Sequence, residues 1–203
     1  MSKSNSKRRE LKPLEIACTS SNCENELHCF RKSRQMTDAE RGRCRSCGAD
    51  LIDWNRVHNR ELSDASFTFK SLKREMWRHY YWHKPIDQQA ENHARRKGRS
   101  KLKEAARNRI EKSVGPAKPF RDGTQTPREG NIIFYAQHAL ACCCRTCMEY
   151  WHGIPKGIKL SDEQIDYFVE LVMMYIGERM PNLTESGEKV PPIRRAKAKK
   201  VEN

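Results

Sequence analysis

The sequence predicts an α+β protein: a small N-terminal module of short antiparallel strands punctuated by cysteines, joined to a mainly α-helical domain that carries a second Cys/His cluster. Three observations lead there. The nine cysteines fall into two separate groups, residues 18–47 and 142–147. Residues 14–54 show little helical periodicity, whereas several later stretches repeat apolar residues every three or four positions. Only 36% of the 203 residues are hydrophobic and 33% are charged, so one large core is out of reach and cross-links or bound metal would help hold the fold.

Taken in order, residues 1–13 read as a flexible basic arm, 14–60 as the cysteine module, 61–183 as the helical domain and 184–203 as a disordered basic tail. The helical domain opens where Ser63 or Asp64 can cap a helix whose face is Phe67, Phe69, Leu72, Met76, Tyr80 and His83, and Pro85 stops it. A second helix is expected over about 86–112, with Gly98 as a break. A Gly/Pro-rich loop follows. Ile132-Ile133-Phe134-Tyr135 is either a strand or the first turn of a buried helix. Ser161 and Gln164 then form a capping box ahead of Ile165, Phe168, Val169, Val172, Tyr175 and Ile176, and Pro181 closes that helix.

Cys44-Arg45-Ser46-Cys47-Gly48 is a knuckle: two intervening residues let both thiolates face one ion, and the glycine relieves the turn. Its partner is Cys18 with Cys23, and twenty residues separate Cys23 from Cys44. The segment 16–54 resembles a zinc ribbon, which implies a closed four-thiolate structural site at Cys18, Cys23, Cys44 and Cys47. Cys29, next to His28, competes with Cys18 or Cys23 as a ligand.

The densest constellation runs from Ala136 to Gly157. Cys144 and Cys147 form a second Cys-x-x-Cys pair, with His138 six positions before Cys144 and His152 five after Cys147. Two thiolates and two imidazoles make a tetrahedral zinc shell, which brings the expected cofactors to two zinc ions. Cys143 can replace Cys144 if the segment is helical, because it then shares a face with Cys147. The stretch resembles the signature of a bacterial and phage family of unknown function, A-Q-H-A-x-x-x-C-C-R-x-C-x-x-x-W-H-G-I-P-K-G. The likeness extends over about 118–181 and takes in Asp122-Gly123 and Gln125-Thr126-Pro127. It marks His138, Cys143, Cys144, Arg145, Cys147, Trp151 and His152 as signature positions. Cys142 departs from the pattern, so the resemblance makes it the non-ligand of the three consecutive cysteines.

The formal net charge is +14, an excess that favours polyanions. Residues Arg95, Arg96, Lys97, Arg99, Lys101, Lys103, Arg107 and Arg109 would contact phosphates with little base specificity. Trp77, Tyr80, Tyr81 and Trp82 are candidates to stack on bases, although helical spacing favours the core for them. No apolar run approaches a membrane span, and the basic N-terminus lacks the apolar stretch of a secretory signal. A reducing cytoplasm with metal thiolates is therefore expected. The leading expectation is a zinc-stabilised nucleic-acid-binding protein. The alternatives are a metal-dependent hydrolase or nuclease, at the His138/Cys144/Cys147/His152 site with Glu149 as base or at His79/His83, and an adaptor that docks a partner through the ribbon.

Overall fold

A computed structural model describes residues 16–120 and 122–193. The expected basic arm, and the part of the expected tail (184–203) from residue 194 onward, lie outside the described residues. The described chain contains seven α-helices: α1 (Trp54–His58), α2 (Ala65–Lys73), α3 (Met76–His83), α4 (Gln88–Ser113), α5 (Ile132–Ala139), α6 (Arg145–His152) and α7 (Asp162–Arg179).

The α+β class is overturned. Among the described residues there is no strand and no sheet, and the fold is mainly α. Where a ribbon of antiparallel strands was expected, the chain makes two isolated bridges, Asn22 with Leu27 and His28 with Glu75. The reason is visible in the composition. Residues 24–51 contain no valine or isoleucine and only one threonine, so no side chains favour a pleated, half-buried ladder. After Leu27 the chain leaves its own hairpin and lies against the α2–α3 junction, where His28 N donates to Arg74 O and Met76 N donates to His28 O. That same insertion ends α2, so the single helix expected over residues 63–83 is two.

The helices owe their limits to local chemistry. Asp87 caps α4 by accepting from Ala90 N, and Ser161 caps α7 by accepting from Gln164 N in a complete capping box. α4 breaks at Gly98, whose φ of 67° and ψ of 175° suit only glycine. Residues 184–188 lie across that break: Arg99 N donates to Thr184 O, Ser100 N to Glu185 O and Glu188 N to Arg95 O. Ile132–Ala139 resolves to a helix, capped by Asn131. The core forms around α7, which packs on α4 and α5, while α3 packs on α5. Phe168, Val172, Tyr175 and Ile176 of α7 are fully buried there, with Leu102 and Ile110 of α4. Burying such side chains stabilises by about 1.5–3 kcal/mol each. No described helix is long and apolar enough to cross a membrane.

Candidate metal centres

The first group of donors is Cys23, His28, Cys44 and Cys47, whose ligand atoms all lie within 4.8 Å of one another. Three short segments converge to build it. Cys23 starts a single 3-10 turn that ends at Glu26, in the left-handed region at φ 58°, and the Asn22–Leu27 bridge closes behind it. His28 is fixed by its backbone bonds to α2 and α3. Cys44 and Cys47 lie on a knuckle in which Gly48, at φ 74°, donates to Cys44 O. Cys23 and Cys44 Sγ are 3.7 Å apart, and Cys47 Sγ is 3.5 Å from His28 Nδ1. Burial opposes ionisation of Cys44, but backbone N–H groups of Cys29, Cys47 and Ser46, with His28, outweigh it and hold the thiol at about 6. A thiol so tuned is the form a metal takes.

Of the four residues expected here, the structure brings together Cys23, Cys44 and Cys47, and His28 stands where a fourth thiolate was expected. Cys18 is engaged elsewhere, its Sγ accepting from Arg31 Nη1 at 2.5 Å. Cys29 is buried, its thiol pushed up to about 12 chiefly by desolvation, and it supports the group through its backbone instead. Cysteine spacing alone could not find His28. The usable signal was its place between Cys23 and Cys44.

The second group is Cys143, Cys144 and Cys147, all buried, with their three sulfurs within 4.8 Å of one another. Cys144 is the N-cap of α6, and Cys147 lies one turn on. Cys143 and Cys147 Sγ are 3.6 Å apart. Bonds from the Cys143 and Cys147 thiols, then the Cys147 N–H and the Arg78 charge, hold the Cys144 thiol far below the usual thiol range despite its burial. Cys142 is also buried but stands outside the group, its thiol raised by desolvation to about 12.

Between this group and the rest of the core lies an ion pair that the sequence did not announce. Arg78 and Glu75 are both fully buried, with Arg78 Nε donating to Glu75 Oε2 at 2.9 Å. Arg78 also donates to Cys147 Sγ at 3.0 Å, His138 O at 2.6 Å and Tyr150 OH at 3.1 Å. Glu75 accepts from Trp151 Nε1 at 2.6 Å and from Tyr150 OH at 2.9 Å. Buried charges survive only when paired and bonded in this way. Because Glu75 is also bridged to His28, the same pair connects the two donor groups.

His138 and His152 do not join the three thiols. Each Nε2 sits on a backbone carbonyl, Thr126 O at 2.9 Å and Leu140 O at 2.8 Å, and each Nδ1 is buried without a partner. Burial holds both imidazoles down at about 4, so both are neutral at pH 7. Glu149 is exposed and pairs with Lys156 at 3.8 Å. His79 and His83 stack at 4.1 Å, and among the described residues they gather no third donor. Arg145 clamps the loops around α6 by donating to Val114 O, Pro155 O and Ile158 O.

Most cations of α4 are engaged within the chain. Arg95 pairs with Glu188 and Glu91, Lys103 with Glu170, and Arg107 with Asp166 and Glu111. Arg109 bonds Gln137 and Thr126 and lies over the Phe134 ring, and Arg99 bonds Leu183 O. Arg96 and Lys101 are exposed, and Lys97 is half-buried. Trp77, Tyr81 and Trp82 are buried and Tyr80 is half-buried, which places these rings in the core.

Fold and donor groups together define a mainly α-helical protein with two Cys/His groups suited to metal. Residues 66–177 match the family described as Domain of unknown function (DUF4186), and the chain belongs to that family. The match includes the three-thiol group and the Glu75–Arg78 pair, while the first donor group precedes it. No solved structure matches the chain.

Proposed function

We propose that this is a cytoplasmic zinc protein with two structural centres, one at Cys23, His28, Cys44 and Cys47 and the other at Cys143, Cys144 and Cys147. The observation that carries the reading is the spacing of the first group. Zinc–sulfur bonds of about 2.3 Å in a tetrahedron set sulfurs about 3.8 Å apart. The 3.7 Å between Cys23 and Cys44, and the 3.5 Å from Cys47 to His28, suit that shell. All nine cysteines are free thiols, the state metal ligation in a reducing compartment requires. In the second group Arg78 offsets the negative charge that three thiolates gather.

Three protein ligands leave a fourth position of the second centre open, as in a catalytic zinc site, but no base stands ready beside it. A catalytic zinc needs a poised base, yet Glu149 faces Lys156 at the surface and Glu75 is bound by Arg78, Tyr150 and Trp151.

Elemental analysis of untagged, desalted protein tests the proposal. Two zinc ions per chain are expected, falling to one in Cys44→Ser and to one in Cys147→Ser, with two retained in Cys18→Ser. Zinc unchanged by Cys44→Ser would overturn the first centre, and zinc unchanged by Cys147→Ser would overturn the second. Iron in place of zinc would replace the structural reading with a redox one.

A further inference from the structure

A cleft lies between the cysteine module and α6, away from α4. It has a volume of about 720 Å³, within the range of small-molecule sites. One wall is the loop that leaves His28 and returns at Gly42, contributing Arg31, Lys32, Arg34 and Arg41, and Lys156 also lines the cleft. Glu149 is the only carboxylate among the lining residues. Lys32 and Arg34 are exposed and make no ion pair among the described residues, unlike Arg95, Lys103 and Arg107 of α4.

The floor is aromatic, made of Phe30, Trp54 and Tyr150. Their polar ends are already engaged inside the protein: Trp54 Nε1 donates to Gly42 O at 2.9 Å and Tyr150 OH to Glu75 at 2.9 Å. What Trp54 and Tyr150, both half-buried, offer the cleft is therefore ring surface. The rings are braced from behind, with Phe30 and Trp54 at 5.9 and 5.1 Å from Trp151. Rigid rings beneath a basic rim on which Lys32 and Arg34 stay unpaired, while Arg41 pairs with Asp38 and Lys156 with Glu149, form the arrangement that holds a base by stacking and its phosphate by charge.

We propose that this cleft binds a nucleotide unit, its base against Trp54 and Tyr150 and its phosphate at Lys32 and Arg34. The unit can come from a free mononucleotide or from single-stranded nucleic acid, and the chemistry recognised is the same.

The test follows tryptophan fluorescence of the full chain at about 100 mM salt, where charge-driven contact is still strong. The three titrants are inorganic phosphate, adenosine 5′-monophosphate and a short oligothymidylate. Zinc is measured on the same sample, so lost binding with unchanged metal reads on the cleft alone. Saturable binding of either nucleotide probe is expected, with phosphate much weaker. AMP binding as tightly as the oligonucleotide assigns a free nucleotide, and binding of the oligonucleotide alone assigns a strand. Lys32→Ala/Arg34→Ala, both exposed positions, should weaken binding about tenfold, and Arg96→Ala/Lys101→Ala on α4 by less than about twofold. Equal losses in the two pairs, phosphate binding as well as AMP, or no saturable binding of either nucleotide probe would each overturn the proposal.

Discussion

The two donor groups meet opposite surroundings. The N-terminal one sits among mostly exposed chain, with Cys47 exposed, Cys23 half-buried, His28 and Cys44 buried, and only two 3-10 turns and two bridges for regular structure. The C-terminal one lies inside the helical core, with all three thiols buried and a buried ion pair behind them. Where apolar side chains are scarce, ligands must supply the cross-link that packing cannot. Where a core exists, it positions the donors first, and a bound ion would add to a structure already held together.

That contrast can be broken most sharply at Arg78. Arg78→Leu leaves Glu75 buried and unpaired, which should cost about 3–5 kcal/mol in urea unfolding, because an uncompensated interior charge is the dominant penalty. A loss under about 1 kcal/mol would mean that the ion pair does not organise the core.

Next in size is the response to acid. Both His138 and His152 are held at about 4 in the fold, whereas an unfolded chain protonates histidine near pH 6.5. The contribution is complete above pH 6.5. As pH falls, the unfolded state takes up protons first, so stability drains between about pH 6.5 and 4, by about 3 kcal/mol for each imidazole. Roughly 2 kcal/mol of that would be gone by pH 5. His152→Gln should remove about 2 kcal/mol of the loss between pH 7 and pH 5, and an unaltered slope would contradict a buried neutral imidazole.

A smaller effect separates core stability from metal content. Gly98→Ala forces a side chain into a positive-φ position, against the Ser186 backbone. It should cost about 1–3 kcal/mol while leaving both zinc ions in place. Zinc lost from either centre would show that the α4 break is coupled to the donor groups.

The smallest change in global stability is expected at the N-terminal group. His28→Ala should remove one zinc yet move the core's unfolding midpoint by less than the equivalent of about 0.5 kcal/mol, because the loss stays within the N-terminal module. Amide exchange should rise over residues 22–48 and stay unaltered in α7. A matching loss in α7 would erase the distinction between the two regions.

Much of the helical part was legible because its signals are local. The capping box of Ser161 and Gln164, the apolar repeat of α7 and the interruption at Gly98 all act within a few residues of the chain. The N-terminal strands were misread. Knuckle spacing suggested a ribbon, yet residues 24–51 lack the β-branched side chains a ladder needs. At the donor groups, Cys-x-x-Cys spacing pointed to Cys44 with Cys47 and Cys144 with Cys147. It could not place His28 beside the first pair, because that imidazole is carried there by backbone bonds to residues 74 and 76.

The sequence by itself determined the charge, the two cysteine clusters, and the helices whose caps and periodicity are written in neighbouring residues. Tertiary structure alone decided which donors converge, that Arg78 and Glu75 are buried, and which cations remain unpaired. Those outcomes depend on partners far apart in the chain. Arg78 meets Cys147, Lys103 meets Glu170 and Trp151 meets Glu75 only after the helices pack, because the energy of a charge or a thiol is set by what surrounds it in space.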